Sequence, residues 1–224
     1  MQRTTGLIRE QTTSPAGRPA LRLRLESEDV PSVGQPLLAY LPGSEAPLRT
    51  ALYATEIHAD GITTVQIPSP EWCVGTRVDL LGPIGRGFSP STRSRRWLLI
   101  ALGMPLDRLL PLVNLALERD LPVVVHSDQA LPDLPAQVEV AVNLEDVFDW
   151  ADFIAIDAGA SRLNALVEGR KSDPIIPAAQ VQALFDLPLP CGLGICSACA
   201  VRKHGSWELA CQHGPVFNIK GWLL

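Results

Sequence analysis

The chain has 224 residues, and its hydrophobic content of 46% supports a proper core in one large domain or two ordinary ones plus a short module. With 19 lysines and arginines against 24 aspartates and glutamates the net charge is −5, which argues against nucleic acid or an anionic membrane as a partner. No run of about 18 apolar residues is available to span a bilayer. Met1-Gln2-Arg3-Thr4-Thr5 leads into polar sequence without the apolar stretch of a signal peptide, so a soluble cytoplasmic protein is expected.

Residues 1 to about 92 read as all-β. Leu21-Arg22-Leu23-Arg24-Leu25-Glu26 alternates apolar and charged residues, the period of a half-buried strand. Leu37 to Leu41 and Leu48 to Ile57 predict further strands, separated by Pro42-Gly43-Ser44. Ile62 to Ile67 is β-branched and stops at Pro68, and Arg77 to Leu81 alternates again before Gly82-Pro83. Short strands with turn signals between them suggest a small barrel or sandwich.

After Pro90 the pattern changes. Trp97 to Leu102 is a continuous apolar run, as in a strand buried on both faces. Leu106 to Arg119 carries apolar residues at helical spacing. Val123–Val125, Val138–Val142 and Phe153–Ile156 predict three more strands, and Ser161–Glu168 a second helix. Strands alternating with helices imply a parallel, doubly wound sheet. The expected organisation is a β-barrel over 1–92, an α/β domain over 93–175, and a small C-terminal module over 176–224 beyond a linker near Lys171–Pro177.

That module holds the strongest signal. Cys191, Cys196, Cys199 and Cys211 follow the order C-x4-C-x2-C-x11-C, whose first three members have the spacing by which plant-type ferredoxins hold a [2Fe–2S] cluster. Such a cluster needs four converging thiolates and backbone N–H groups aimed at the sulfurs. Gly192 and Gly194 allow the backbone that close, and Ser197, Ala198 and Ala200 keep the loop small. A structural zinc site usually pairs two short Cys hooks, and here Cys211 stands alone. A disulfide framework suits a short secreted chain rather than this one with five cysteines.

The order of barrel, α/β domain and C-terminal cysteine loop resembles the electron-transfer subunits of two-protein dihydroorotate dehydrogenase B, within the ferredoxin-reductase superfamily. Two stretches carry the likeness: Cys191 to Cys199 closing with Cys211-Gln-His-Gly-Pro-Val-Phe217, and Gly75 to Phe88, which contains Gly82-Pro-Ile-Gly-Arg-Gly-Phe88. The resemblance implies a ferredoxin-reductase-like fold and FAD between the two domains. It further implies hydride arriving from NADH, and single electrons passing through a [2Fe–2S] centre to a catalytic flavoprotein partner. Flavins stand between two-electron and one-electron carriers in such chains.

The chain also departs from that family. The flavin motif, similar to Leu-Arg-Arg-Pro-x-Ser, corresponds to Leu48-Arg49-Thr50-Ala51-Leu52-Tyr53. In that register Thr50 stands in place of the second arginine and Tyr53 in place of the serine; Arg49 could still reach a pyrophosphate and Tyr53 stack on an isoalloxazine, while a strand Arg and Tyr are more often a solvent-facing charge and a core edge. The family's following Gly-x-Gly-Thr turn is missing between Ile57 and Pro70. The glycine-rich nicotinamide turn is reduced to Ala101-Leu102-Gly103-Met104-Pro105-Leu106, and the later Cys-Gly-Pro motif reads Ile156-Asp157-Ala158-Gly159-Ala160-Ser161. NAD binding in the family manner is not expected.

The remaining candidates read as structural. Cys73 is expected as a buried spare cysteine. His58 and His126 have no ligand partners at suitable spacing, and four cysteines leave no need for His204 or His213 as iron ligands. Arg93, Arg95 and Arg96 read as a solvated linker between domains. No nucleophile-elbow, P-loop or HExxH motif is present, and the resemblance implies an electron-transfer subunit rather than a complete enzyme. Two rival readings stay open: a nucleotide-free relative acting as a cluster-bearing scaffold, and a zinc-stabilised binding module.

Overall fold

Alternating side chains build the first domain. The computed structural model describes residues 2–26, 30–46, 48–65, 71–170, 180–203 and 205–219. Seven antiparallel strands, β1 (Gln2–Thr13), β2 (Pro19–Leu25), β3 (Leu37–Tyr40), β4 (Thr50–Leu52), β5 (Glu56–His58), β6 (Gly61–Thr64) and β7 (Arg77–Gly82), form one sheet in the order β4-β3-β7-β1-β2-β6-β5. Ile8, Leu21, Leu23, Leu37, Leu52, Ile62, Val78 and Leu80 share a single core, so the sheet curls around its own apolar face. The expected strand over 48–57 divides into β4 and β5. Between them Thr55 bonds to the Thr63 carbonyl through both its N–H, at 2.8 Å, and its hydroxyl, at 3.2 Å. β1 has no apolar alternation, because most of its side chains face outward; it lies at the centre of the sheet, paired with β2 and β7.

The second domain is built on β8 (Trp97–Leu102), α1 (Leu110–Glu118), β9 (Val123–Ser127), β10 (Val138–Val140), α2 (Glu145–Phe148), β11 (Phe153–Ala158), α3 (Ala160–Arg170) and β12 (Gln180–Phe185). The helix expected from Leu106 starts as a 3-10 turn over Leu106–Leu109, and Pro111 sits in the first turn of α1, where its missing N–H costs no helical bond. In β8 alternate residues feed opposite faces. Trp97, Leu99 and Ala101 pack under α1, while Leu98 and Ile100 join Phe148, Ile154, Ile156 and Leu163 on the other side.

From residue 180 onward the described chain does not hang free of this domain. Its remaining elements are β13 (Ala200–Lys203), β14 (Ser206–Leu209), α4 (Ala210–His213) and β15 (Val216–Asn218). The sheet order is β10-β9-β8-β11-β12-β15, so β12 and β15 complete the six-stranded sheet, β12 running parallel to β11 and β15 antiparallel to β12. Gln180 and Gln182 of β12 also bond to Ser89 and Ser91, fixing the stretch that joins barrel to sheet. The linker expected near Lys171–Pro177 lies outside the described residues. No helix among the described residues is long and apolar enough to cross a membrane.

Candidate metal centre

The cysteine loop is held between the barrel and α4. Gly192 and Gly194 both adopt left-handed backbone conformations, with φ of +63° and +77°. A Cβ on Gly192 would lie 2.6 Å from Leu38 Cδ1 in the barrel, and one on Gly194 would lie 2.1 Å from Gln212 Nε2 on α4. Glycine therefore allows the loop to press against both neighbours. The other stretch that carries the resemblance meets the same region. Gly85 approaches Gly214 so closely that a Cβ would sit 1.8 Å from the Gly214 carbonyl, the Arg86 N–H donates to that carbonyl, and the Val216 N–H donates back to Arg86 at 3.3 Å.

The eleven-residue gap before Cys211 is a hairpin. β13 and β14 pair Ala200 with Leu209 and Lys203 with Ser206, and the Ala210 N–H donates to the Cys199 carbonyl at 3.0 Å. The chain thus leaves Cys199, turns at Gly205 and returns Cys211 beside its starting point. The Cys199 and Cys211 sulfurs are 3.4 Å apart, and both residues are buried in the core shared with Ile156, Val181 and Ala183. Cys191 and Cys196 lie nearer the surface, and Cys196 is close enough to act on the Cys191 thiol. Among the described residues, no group of three or more His, Cys, Asp or Glu side chains is arranged to hold a metal ion.

Backbone donors serve the sulfurs. Partial burial works against ionisation of Cys191, but the N–H groups of Leu193, Cys196 and Ile195 and the Cys196 thiol outweigh it and bring the thiol down to about 6. The Leu193 N–H lies 3.4 Å from the Cys191 sulfur. Burial, then the neighbouring Cys199, pushes Cys211 up to about 11, while the Gly194 N–H acts in the opposite direction. Donors from the glycine loop therefore reach sulfurs of both pairs. This donor set suits a group bound by four thiolates, two and two.

Arg49 and Tyr53 line one cavity of about 390 Å³, together with Leu48, Ala51 and Asp186–Pro190. Both are otherwise engaged. The Arg49 guanidinium donates to the Asp79 carboxylate at 3.1 Å and to the Asp79 and Leu38 carbonyls. Tyr53 is buried, with the guanidinium of Arg108 5.0 Å from its ring centre. These surroundings do not fit a flavin.

Arg108 was not singled out by motif, yet from the 3-10 turn after β8 it reaches β11 and the stretch just beyond β12. It donates to both oxygens of Asp157, at 2.6 and 2.7 Å, and to Asp186 at 2.9 Å. Burial drives the Asp157 carboxyl upward and the Arg108 guanidinium opposes that shift. The other candidates fall into structural places. Cys73 is exposed rather than buried, because it lies in the turn before β7, where its sulfur contacts the Thr76 hydroxyl at 3.2 Å. His58 bonds to Thr63 at 2.9 Å and His126 to the Ala141 carbonyl at 3.0 Å. His213 is exposed at the end of α4, and His204 lies outside the described residues. The Arg95 and Arg96 N–H groups are capped by Asp152, at 2.8 and 2.9 Å.

Residues 189–221 match the family described as the iron–sulfur cluster binding domain of dihydroorotate dehydrogenase B. Among solved structures, the NADH-dependent reduced ferredoxin–NADP oxidoreductase described for flavin-based electron bifurcation superposes with a TM-score of 0.67 at 15% identity, covering 95% of this chain and 87% of that one. The ferredoxin reductase of carbazole 1,9a-dioxygenase, in its FAD apo form, gives 0.59 at 19% identity, with 82% and 67% covered. Phthalate dioxygenase reductase, a modular structure for electron transfer from pyridine nucleotides to [2Fe–2S], gives 0.57 at 12% identity, with 80% and 67% covered. No curated protein matches the sequence. The chain has the ferredoxin-reductase fold and carries at its C-terminal end a dihydroorotate dehydrogenase B iron–sulfur cluster-binding domain.

Proposed function

We propose that this chain is an electron-transfer subunit that binds a [2Fe–2S] cluster through Cys191, Cys196, Cys199 and Cys211 and exchanges single electrons with a catalytic flavoprotein partner of the dihydroorotate dehydrogenase type. The observation that carries this reading is the grouping of four thiols into two pairs, served by N–H groups from one glycine loop. Cys191 and Cys196 would hold one iron, and Cys199 and Cys211 the other. When bound, such a cluster supplies storage for one electron at a time.

The protein's own groups give that chemistry its setting. Amides of Leu193 and Gly194 point positive dipoles at thiolate sulfur, which favours added negative charge. Cys199 and Cys211 are buried against the sheet, whereas Cys196 is exposed beside Leu193 and Ile195. One side of the centre is therefore shielded from water and the other faces outward, where a partner can approach. On this reading the substrate is turned over on the partner.

Anaerobic purification followed by iron and acid-labile sulfide analysis tests the reading. Iron and sulfide in equal amounts, about two of each per chain, are expected. Zinc without sulfide would establish the rival binding module instead.

A further inference from the structure

The strand order reverses between β8 and β11: the chain moves from β8 outward to β9 and β10, then returns to β11 and β12 on the other side. In open α/β sheets the crevice at the carboxyl ends of the strands, at this reversal, is where dinucleotides sit. Here the chain fills it with its own side chains. Arg108, from the turn after β8, grips Asp157 on β11 and Asp186 just beyond β12, and lies over Tyr53 of the barrel. Its neighbour Asp107, fully buried, binds Arg18, just before the barrel strand β2, at 2.7 Å. The Gly103 N–H, placed where a phosphate would approach, donates to Asp128 at 2.7 Å.

We propose that Asp107 and Arg108 form a clasp between barrel and sheet that takes the place of a bound nucleotide, so that this chain binds neither FAD nor NAD(H). A diphosphate entering the crevice would have to displace Arg108 and face the negative charge of Asp157. One consequence rests on the cluster reading above. A hydride donor releases two electrons together, and without a flavin this chain offers them no acceptor. Electrons therefore reach the cysteine loop only one at a time, from another redox protein acting as the carrier. Each transfer oxidises the carrier by one electron and reduces the cluster by one, with no bond made or broken.

The full-length protein is titrated with FAD and separately with NADH, following flavin fluorescence anisotropy and melting temperature. No saturable binding and no shift are expected; one-to-one binding of either ligand, or stoichiometric flavin in the purified protein, overturns the proposal. Arg108→Ala, Asp157→Ala and the double variant then form a cycle in urea, with Arg108→Lys and Asp157→Asn as a milder set should the alanine variants not fold. The double variant is expected to lose no more stability than the worse single one, and additive losses would show that the two side chains do not act as a unit. With cluster loaded, NADH alone should leave the visible absorbance unchanged while a reduced ferredoxin bleaches it; bleaching by NADH alone contradicts the inference. Because the flavin titration reads nothing from the cysteines, the clasp and the cluster can fail independently.

Discussion

Gly192 and Gly194 share a backbone constraint but not a neighbourhood. Replacing either with alanine strains a left-handed residue by roughly 1–2 kcal/mol. At Gly194 the new Cβ meets the end of the Gln212 side chain, which can swing aside. At Gly192 it meets Leu38 Cδ1 and Ile84 Cδ1, at 2.6 and 3.1 Å, both in the core. Gly192→Ala is therefore expected to cost a further ~1–3 kcal/mol of overpacking and to lower the urea midpoint more than Gly194→Ala. Cys73 supplies the control, since Cys73→Ser removes a thiol on the surface far along the chain and should leave iron content unchanged.

A second residue governs acid sensitivity. Asp79 accepts from Arg3 at 2.6 Å and from Arg49 at 3.1 Å, and the Arg3 hydrogen bond, opposed by partial desolvation and supported by Arg49, holds its carboxyl below the ordinary value. A lowered carboxylate stabilises the fold above its ordinary value of about 4, and the contribution is lost as pH falls through the lowered one. Melting temperature should therefore fall on acidification below about pH 4. Asp79→Asn should melt lower at neutral pH and show a shallower acid slope.

At the scale of elements, the β13–β14 hairpin sets the distance between Cys199 and Cys211, and the number of residues between them is secondary. A residue inserted at the exposed Gly205 turn lengthens the loop but leaves the pairing of Ala200 with Leu209 intact, so iron retention should survive. One inserted between Leu209 and Ala210 shifts Cys211 out of place, and iron should be lost. This contrast also marks what was legible in the sequence. The loop from Cys191 to Cys199 could be read because its ligands are local, whereas Cys211 looked isolated until the hairpin was known. β8, β9 and β11 were legible as apolar runs, while β1 was not, since it presents polar side chains to solvent. Arg108 gave no signal, because its partners lie 49 and 78 residues further on.

For the whole molecule, the cluster arm and the α/β domain are one folding unit. β12 pairs with β11 from Phe153–Gln180 to Ala158–Phe185, and β15 closes the sheet edge. A chain truncated after residue 175 loses both strands, exposes the faces of Ile154 and Ile156, and is expected to be insoluble or to lack a cooperative transition. The same unity ties the barrel in. Loss of Asp157 would strand Arg108 among buried groups at a cost of about 3–5 kcal/mol, whereas Asp186→Asn, at a half-exposed carboxylate, should cost under about 1 kcal/mol.

The central claim is that four thiols of one chain hold a centre that changes by one electron. Electron paramagnetic resonance during a stepwise reductive titration of the anaerobically purified protein tests it most directly. The account predicts a silent oxidised protein that gains a single paramagnetic signal, integrating to about one spin per chain after one electron. A protein that takes up no electron, or whose signal survives replacement of Cys199 and Cys211 by serine, contradicts it.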